Sequence, residues 1–200
     1  FYTLMVQSSN RRSFHMDGIA KSLGFKEYSG KEDMPILRDY PQEVPRFGWD
    51  YETLMHTKSR IDAQYQKGLP FFSFTFTGTT HEPFSDPGAE FHVYPHSDAN
   101  EEGFLNTLRY SDWSIEQFMT EAAKEPWYQD TVFVFSADHV LRVNSDDLHS
   151  QFHIPLIIYT PDGSLPAEHR TDFSSQYDLM PSLLELMGVE TDVSTFGRSL

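Results

Sequence analysis

The chain has 200 residues, 38% of them hydrophobic and 15% aromatic, enough for one packed domain and too apolar for intrinsic disorder. Thirty acidic residues against fifteen basic ones give a net charge of −15, which excludes nucleic acid as a partner and a basic patch holding the chain to anionic lipid. Cysteine is absent, so disulfides, zinc–thiolate sites and a thiol nucleophile are excluded, and no apolar run approaches the ~18–20 residues of a membrane span.

The chain opens in what reads as mid-strand, Phe1 to Gln7, with neither Met nor a leader. The expectation is therefore a piece whose upstream part, with any membrane segment, lies elsewhere. Ser8 to Arg12 is a polar loop, and Phe14 to Leu23 a short helix stopped by Gly24. Lys26 to Pro45 is polar, carries three prolines and predicts irregular structure. Trp49 to Gln66 has helical spacing (Tyr51, Leu54, Met55, Lys58, Ile61, Tyr65) and ends at Gly68-Leu69-Pro70. Phe71 to Thr77 is aromatic and β-branched and predicts a buried strand.

Gly78 to Glu102 is long, aperiodic and rich in Gly, Pro, His and acids. Loops of this length in compact domains are often functional. Phe104 to Lys124 is the clearest helix, with Leu105, Leu108, Ile115, Phe118, Met119 and Ala122 on one face and Pro126 beyond it. A strand buried on both faces follows from Thr131 to Ala137, then a polar loop to His153 and a strand from Ile154 to Tyr159. Pro161-Asp162-Gly163 is a turn, and Gln176 to Met187 a helix closed by Gly188. Strands alternating with helices predict one α/β domain with a mainly parallel sheet flanked by helices.

In such sheets ligands bind beyond the carboxyl ends of the strands. Asp138 and His139 follow one buried run directly, and together offer one oxygen and one nitrogen to a divalent metal. A strand-end Asp capping a turn beside an incidental His is the plainer reading. His81 follows the Phe71 strand in the same way: neutral it can ligate metal, protonated it can hold a phosphate or act as general acid. Arg11 and Arg12 follow the first strand and suit anion recognition, though a solvated basic turn looks the same in sequence. His92, His96, His149 and His153 are further candidates, of which His153 directly precedes a strand near the Asp-His loop; most of them read as ordinary loop residues. No Gly-rich phosphate loop, G-x-S-x-G elbow or H-E-x-x-H pair is present.

Taken together these segments resemble the C-terminal part of the sulfatase-like branch of the alkaline phosphatase superfamily, closest to lipoteichoic-acid-synthase-like phosphoglycerol transferases. The resemblance rests on Phe71 to Thr77 leading to Thr80-His81-Glu82-Pro83-Phe84; on Tyr110-Ser111-Asp112; on Phe135-Ser136-Ala137-Asp138-His139; on His153 to Tyr159; on Gln176 to Leu184; and on Gly197-Arg198-Ser199-Leu200, all in the family's order. It implies residues 1–200 as the C-terminal portion of one catalytic domain, incomplete at its N-terminus. Asp138 and His139 match two ligands of a single divalent metal; manganese fits best, with zinc and magnesium open. His81 matches the residue contacting the transferred group. A substrate-contacting Arg of the family falls near residues 10–16, where Met16 competes with Arg11 and Arg12 for the position. The nucleophile and a further acidic ligand have no match, so the chain alone is expected to be inactive.

The implied activity is metal-dependent phosphoryl transfer, as a phosphoglycerol transferase or phosphodiesterase, on a lipid- or glycan-linked substrate at the extracytoplasmic face of a bacterial membrane or in the periplasm. Membrane association would come only through segments not present in these residues; oligomeric state stays open. The alternatives are sulfuric ester hydrolysis on the same fold and a non-catalytic extracytoplasmic binding domain.

Overall fold

A computed structural model describes residues 1–140, 147 and 149–200. Part of the polar loop expected up to His153 lies outside the described residues. The chain forms two compact units, Phe1–Asp162 and Gly163–Leu200.

In the first unit, β1 (Tyr2–Gln7) is followed by α1 (Met16–Ser22), β2 (Glu27–Ser29), α2 (Asp50–Tyr65), β3 (Phe71–Phe76), α3 (Glu101–Ala122), β4 (Phe133–Ser136) and β5 (Leu156–Tyr159). β1 is the centre of a parallel sheet in the order β2-β1-β3. Its register sets Leu4 against Glu27 and Ser73, and Val6 against Ser29 and Thr75. β4 and β5 form a separate antiparallel pair, Phe133 opposite Tyr159. A parallel return needs a crossover, usually a helix, and the described residues between them contain none.

The core follows from the periods of the elements. Alternate residues Leu4 and Val6 of β1 meet Leu54 and Ile61 of α2, Phe118 and Ala122 of α3, Trp127 and Phe133. Full burial of each such aliphatic side chain contributes ~1.5–3 kcal/mol. Trp127 also donates its indole N–H to Asp62 Oδ1 at 2.8 Å, which satisfies its one polar atom. A second, aromatic cluster joins Trp49, Phe91 and Tyr110.

Several sequence boundaries move for identifiable reasons. β2 was hidden in the expected irregular stretch because Glu-Tyr-Ser has no apolar signal; it forms because Glu27 is bonded by Arg60 of α2 and Tyr2 of β1. α3 begins at Glu101 because Asn100 Oδ1 accepts the Gly103 N–H at 3.0 Å. β3 and β4 are less buried than expected. Phe72 and Phe74 are 42% and 44% exposed, because α2 covers the Ser73/Thr75 face, where Thr57 bonds Thr75, and they stand on the other. β4 is fully buried only at Phe133.

In the second unit, a turn at Gln176–Asp178 leads into α4 (Leu179–Leu186), ended by Gly188 at φ 64°. Asp178 accepts the backbone N–H groups of Ser175 (2.7 Å) and Arg198 (2.8 Å), and Ser182 Oγ accepts that of Leu200 (3.0 Å). These bonds hold the last four residues across the start of α4. Gly197 is required there, since a Cβ would lie 2.0 Å from the Tyr177 carbonyl oxygen. No helix among the described residues is long and apolar enough to cross a membrane.

Candidate active site

β1 and β3 are adjacent and parallel, so both chains leave the sheet at one edge. The Ser8 N–H continues the ladder to the Phe76 carbonyl at 2.9 Å. Three segments then pack backbone to backbone. A Cβ on Gly48, which sits at φ +72°, would lie 2.1 Å from Ser8 O; one on Gly78 would lie 2.5 Å from Ser8 Oγ and 2.7 Å from Phe47 O. Only glycine permits that approach.

Asp50, in the first turn of α2 and 1% exposed, fastens these segments together. Its Oδ1 accepts the backbone N–H groups of Gly78 (2.8 Å) and Thr79 (3.0 Å), and Oδ2 accepts the Ser111 hydroxyl. In return Thr79 Oγ1 accepts the Asp50 N–H at 2.9 Å, capping α2 from a different loop. The result fixes the backbone two residues before His81.

His81 itself is exposed. Its Nδ1–H donates to the Glu82 carbonyl oxygen (2.7 Å), which leaves Nε2 for a ligand. Its ring stacks on Phe47 with centroids 3.8 Å apart, and Phe47 stacks in turn on Phe14 at 6.4 Å. The Arg46 guanidinium lies 5.4 Å over the Phe47 ring. Phe14 and the following His15 hold left-handed backbone (φ 57° and 56°), uncommon for residues with side chains and frequent at functional sites. An imidazole, two phenyl rings and a guanidinium thus share one exposed column above the edge. Sequence reasoning missed Phe14, Arg46, Phe47 and Asp50; the only local signal was the Gly-Trp-Asp start of α2.

The two arginines named from sequence behave differently. Arg11 pairs with Asp33, lies 5.6 Å over the Tyr28 ring, and its backbone N–H donates to Glu32 Oε2 at 2.8 Å. Its charge is committed to holding the loop to β2. Arg12 is exposed, and its side chain makes no ion pair among the described residues. Met16 is half-buried at the start of α1.

Asp138 and His139 follow β4 and lie open to solvent, their side chains 56% and 74% exposed. Asp138 Oδ1 accepts the His139 backbone N–H at 2.9 Å, and Oδ2 faces His139 Nε2 at 3.7 Å. His139 Nδ1–H donates to the Val140 carbonyl at 2.7 Å, so Nε2 carries the lone pair. A hydrogen bond on one imidazole nitrogen that aims the other is how metal-ligating histidines are prepared. The donor set suits a divalent ion as two of its ligands. His153 is exposed beside His149, ring centroids 5.3 Å apart.

This parallel β-α-β edge carrying an imidazole, with an acid–imidazole pair at the end of another strand, belongs to a fold shared with a solved protein of the alkaline phosphatase superfamily. The structure of a member of that superfamily from Vibrio parahaemolyticus superposes with a TM-score of 0.80 at 24% identity, covering 99% of this chain and 47% of that one. The family model described as Sulfatase matches residues 1–189, and the chain belongs to that family. Curated relatives include phosphoglycerol transferase I of Salmonella typhi, 27% identical over 148 residues (72% of this chain, 19% of that protein). Lipoteichoic acid synthase of Staphylococcus saprophyticus is 28% identical over 152 residues (67% and 23%). The chain spans about one fifth of the length of these relatives.

Proposed function

We propose that these residues form part of a metal-dependent phosphoryl-transfer site, moving phosphoglycerol from a lipid- or glycan-linked donor to an acceptor hydroxyl or to water, outside the cytoplasm. The observation that carries the reading is the prepared state of Asp138 and His139: the Val140 carbonyl holds Nδ1–H, and the bare Nε2 faces a carboxylate oxygen. The names of the relatives favour phosphoglycerol as the group transferred.

Asp138 and His139 would hold the ion, with manganese suited to a site of hard oxygens plus one imidazole. Such an ion supplies charge neutralisation at phosphoryl oxygens and a lowered pKa for the attacking hydroxyl. His81 presents Nε2 to the transferred group, donating to a phosphoryl oxygen in its charged form. Arg46, over the Phe47 ring that His81 stacks on, adds a cation, which a chain of net charge −15 needs in order to receive an anionic substrate. Phe14 and Phe47 form an apolar wall suited to the carbon face of a glycerol or sugar. In this reading the nucleophile and the remaining metal ligands come from outside these residues. The nucleophile's oxygen forms the new bond to phosphorus, the bond to the donor oxygen breaks, and that oxygen leaves with the nucleophile's proton; the acceptor hydroxyl or water then bonds to phosphorus, the bond to the nucleophile breaks, and the acceptor's proton returns to it.

The test is hydrolysis of bis-p-nitrophenyl phosphate and p-nitrophenyl sulfate, with and without manganese, by purified protein in which these residues are joined to the segment that supplies the nucleophile and remaining ligands. Manganese-dependent diesterase activity lost in Asp138→Ala and His139→Ala supports the proposal. Sulfate ester cleavage with no diesterase activity would replace it with sulfuric ester hydrolysis. Activity unaffected by Asp138→Ala in a folded protein would remove the metal assignment.

A further inference from the structure

We propose a transition-metal site formed by Asp86, His92 and His96, in the loop between β3 and α3, for a divalent ion of the zinc class. One donor atom from each of the three lies within 4.8 Å of the others, and all three side chains are half-buried. Neither Asp138 nor His139 takes part, so the inference stands independently of the phosphoryl-transfer reading.

The hydrogen bonds assign the donors. His96 Nε2–H donates to the Phe84 carbonyl oxygen at 2.9 Å, since a carbonyl only accepts. That leaves Nδ1 of His96 with a lone pair, and this atom is buried without any hydrogen-bond partner. A buried acceptor with no donor is costly, roughly 1–3 kcal/mol, and a metal ion is one group that satisfies it. His92 Nε2 and Asp86 Oδ1 meet at 2.7 Å, and the His92 and His96 rings stack at 5.4 Å with 13° between planes. The Asp86 carboxyl lies below the usual aspartate range: burial pushes it up, but bonds from the Gly88 N–H and His92 outweigh that.

The framework is built before any ion arrives. Asn106 of α3, fully buried, accepts the N–H groups of Val93 (2.8 Å) and Tyr94 (3.2 Å) at Oδ1 and donates to Tyr94 O at 3.0 Å. The Phe84 N–H donates to Asp98 O at 2.8 Å, and the Gly88 N–H to Asp86 Oδ1 at 2.9 Å. These bonds pin the chain on both sides of each ligand, which is the outer support a metal site requires. Donors about 2.0–2.1 Å from a tetrahedral zinc stand ~3.3 Å apart. On binding, the ion would replace the Nε2 proton that His92 donates to Asp86 Oδ1, that side would open slightly from 2.7 Å and the wider sides would close, movements within reach of side-chain rotation. Two imidazoles and one carboxylate favour zinc or ferrous iron over calcium or magnesium, and leave one coordination position for water.

The experiment strips purified protein with a chelator, dialyses it against zinc chloride, and measures bound zinc by mass spectrometry and the melting temperature in parallel. Four proteins are compared: wild type, Asp138→Ala, His92→Ala and His96→Gln. The glutamine retains a donor for the Phe84 carbonyl but has no imidazole. Expected is one zinc per chain that wild type and Asp138→Ala both hold and that His92→Ala and His96→Gln lack, counted beyond any ion held at Asp138 and His139, with this zinc raising the melting temperature only where it binds. Zinc content unchanged in folded His92→Ala, zinc lost only on Asp138→Ala, or no zinc bound by wild type would each overturn the site. If His96→Gln does not fold, His92→Ala decides alone, because the His92 side chain is partly exposed.

Discussion

Replacing Asp50 with alanine tests the idea that one buried carboxylate positions the His81 loop. The change leaves the Gly78 and Thr79 N–H groups without acceptors at a site where Asp50 is 1% exposed. Each orphaned buried donor costs ~1–3 kcal/mol, and bonds to a carboxylate lie at the stronger end. Loss of a negative charge in the first turn of α2 adds ~0.3–1 kcal/mol. Relaxation and water entry recover part of this, so about 3–5 kcal/mol is expected for Asp50→Ala. Asp50→Asn retains an acceptor oxygen for both N–H groups and forfeits mainly charge, so about 1–2 kcal/mol is expected. Urea unfolding of the purified proteins measures both, the midpoint falling at constant slope. Diesterase activity of the folded fraction should drop by more than the stability loss explains, because a displacement near 1 Å costs roughly 100-fold in rate. A destabilisation below ~1 kcal/mol for Asp50→Ala, or equal effects of alanine and asparagine, would refute the reasoning.

Gly78→Ala should reduce activity and cost ~1–3 kcal/mol, because its Cβ would meet the immovable Phe47 carbonyl at 2.7 Å. Gly68→Ala, at φ +71° with nothing within 4 Å, should cost only ~1 kcal/mol and leave activity intact; thermal melts and the diesterase assay read both. Arg46→Ala should raise KM for an anionic diester several-fold with little loss of stability, whereas Arg11→Ala should act through stability, since Arg11 is paired with Asp33; steady-state kinetics alongside urea midpoints separate the two. Glu27 contributes an acid-labile term. Burial pushes its carboxyl up, but bonds from Arg60 and Tyr2 outweigh that and hold it below the usual glutamate range. A lowered folded value means its contribution is complete above the ordinary glutamate pKa and disappears as pH falls through the folded value. Glu27→Gln should therefore flatten the acid limb of a stability–pH curve.

Much of the fold could be read from apolar periodicity, and the reasons for the misses are local. α2 and α3 were readable because Leu54 and Ile61, and Phe118 and Ala122, recur at helical spacing and do face one core. β2 was not, because its three residues are held by Glu27 bonding to side chains 25 and 33 positions away, which no window of sequence contains. The burial of β3 was overestimated for a related reason: a run of phenylalanines signals apolar character on both faces, while packing needs a cover for each, and α2 supplies one.

The candidate site divides in the same way. His81, Asp138 and His139 were visible because each sits just past an apolar run, and a strand end is a position that sequence marks. Arg11 and Arg12 were chosen by that same logic, and it cannot distinguish a guanidinium aimed at a ligand from one that pairs with Asp33 twenty-two residues on. The residues that shape the edge, Phe14, Arg46, Phe47 and Asp50, come from segments before α1 and before α2 and from the first turn of α2, none of which carries a motif. They converge because Gly48 and Gly78 let two backbones approach Ser8 more closely than any side chain permits. The proposed metal pair can thus be read from a dipeptide, while the shape of the edge beside His81 is set by glycines, which show what must come close without naming what it will meet.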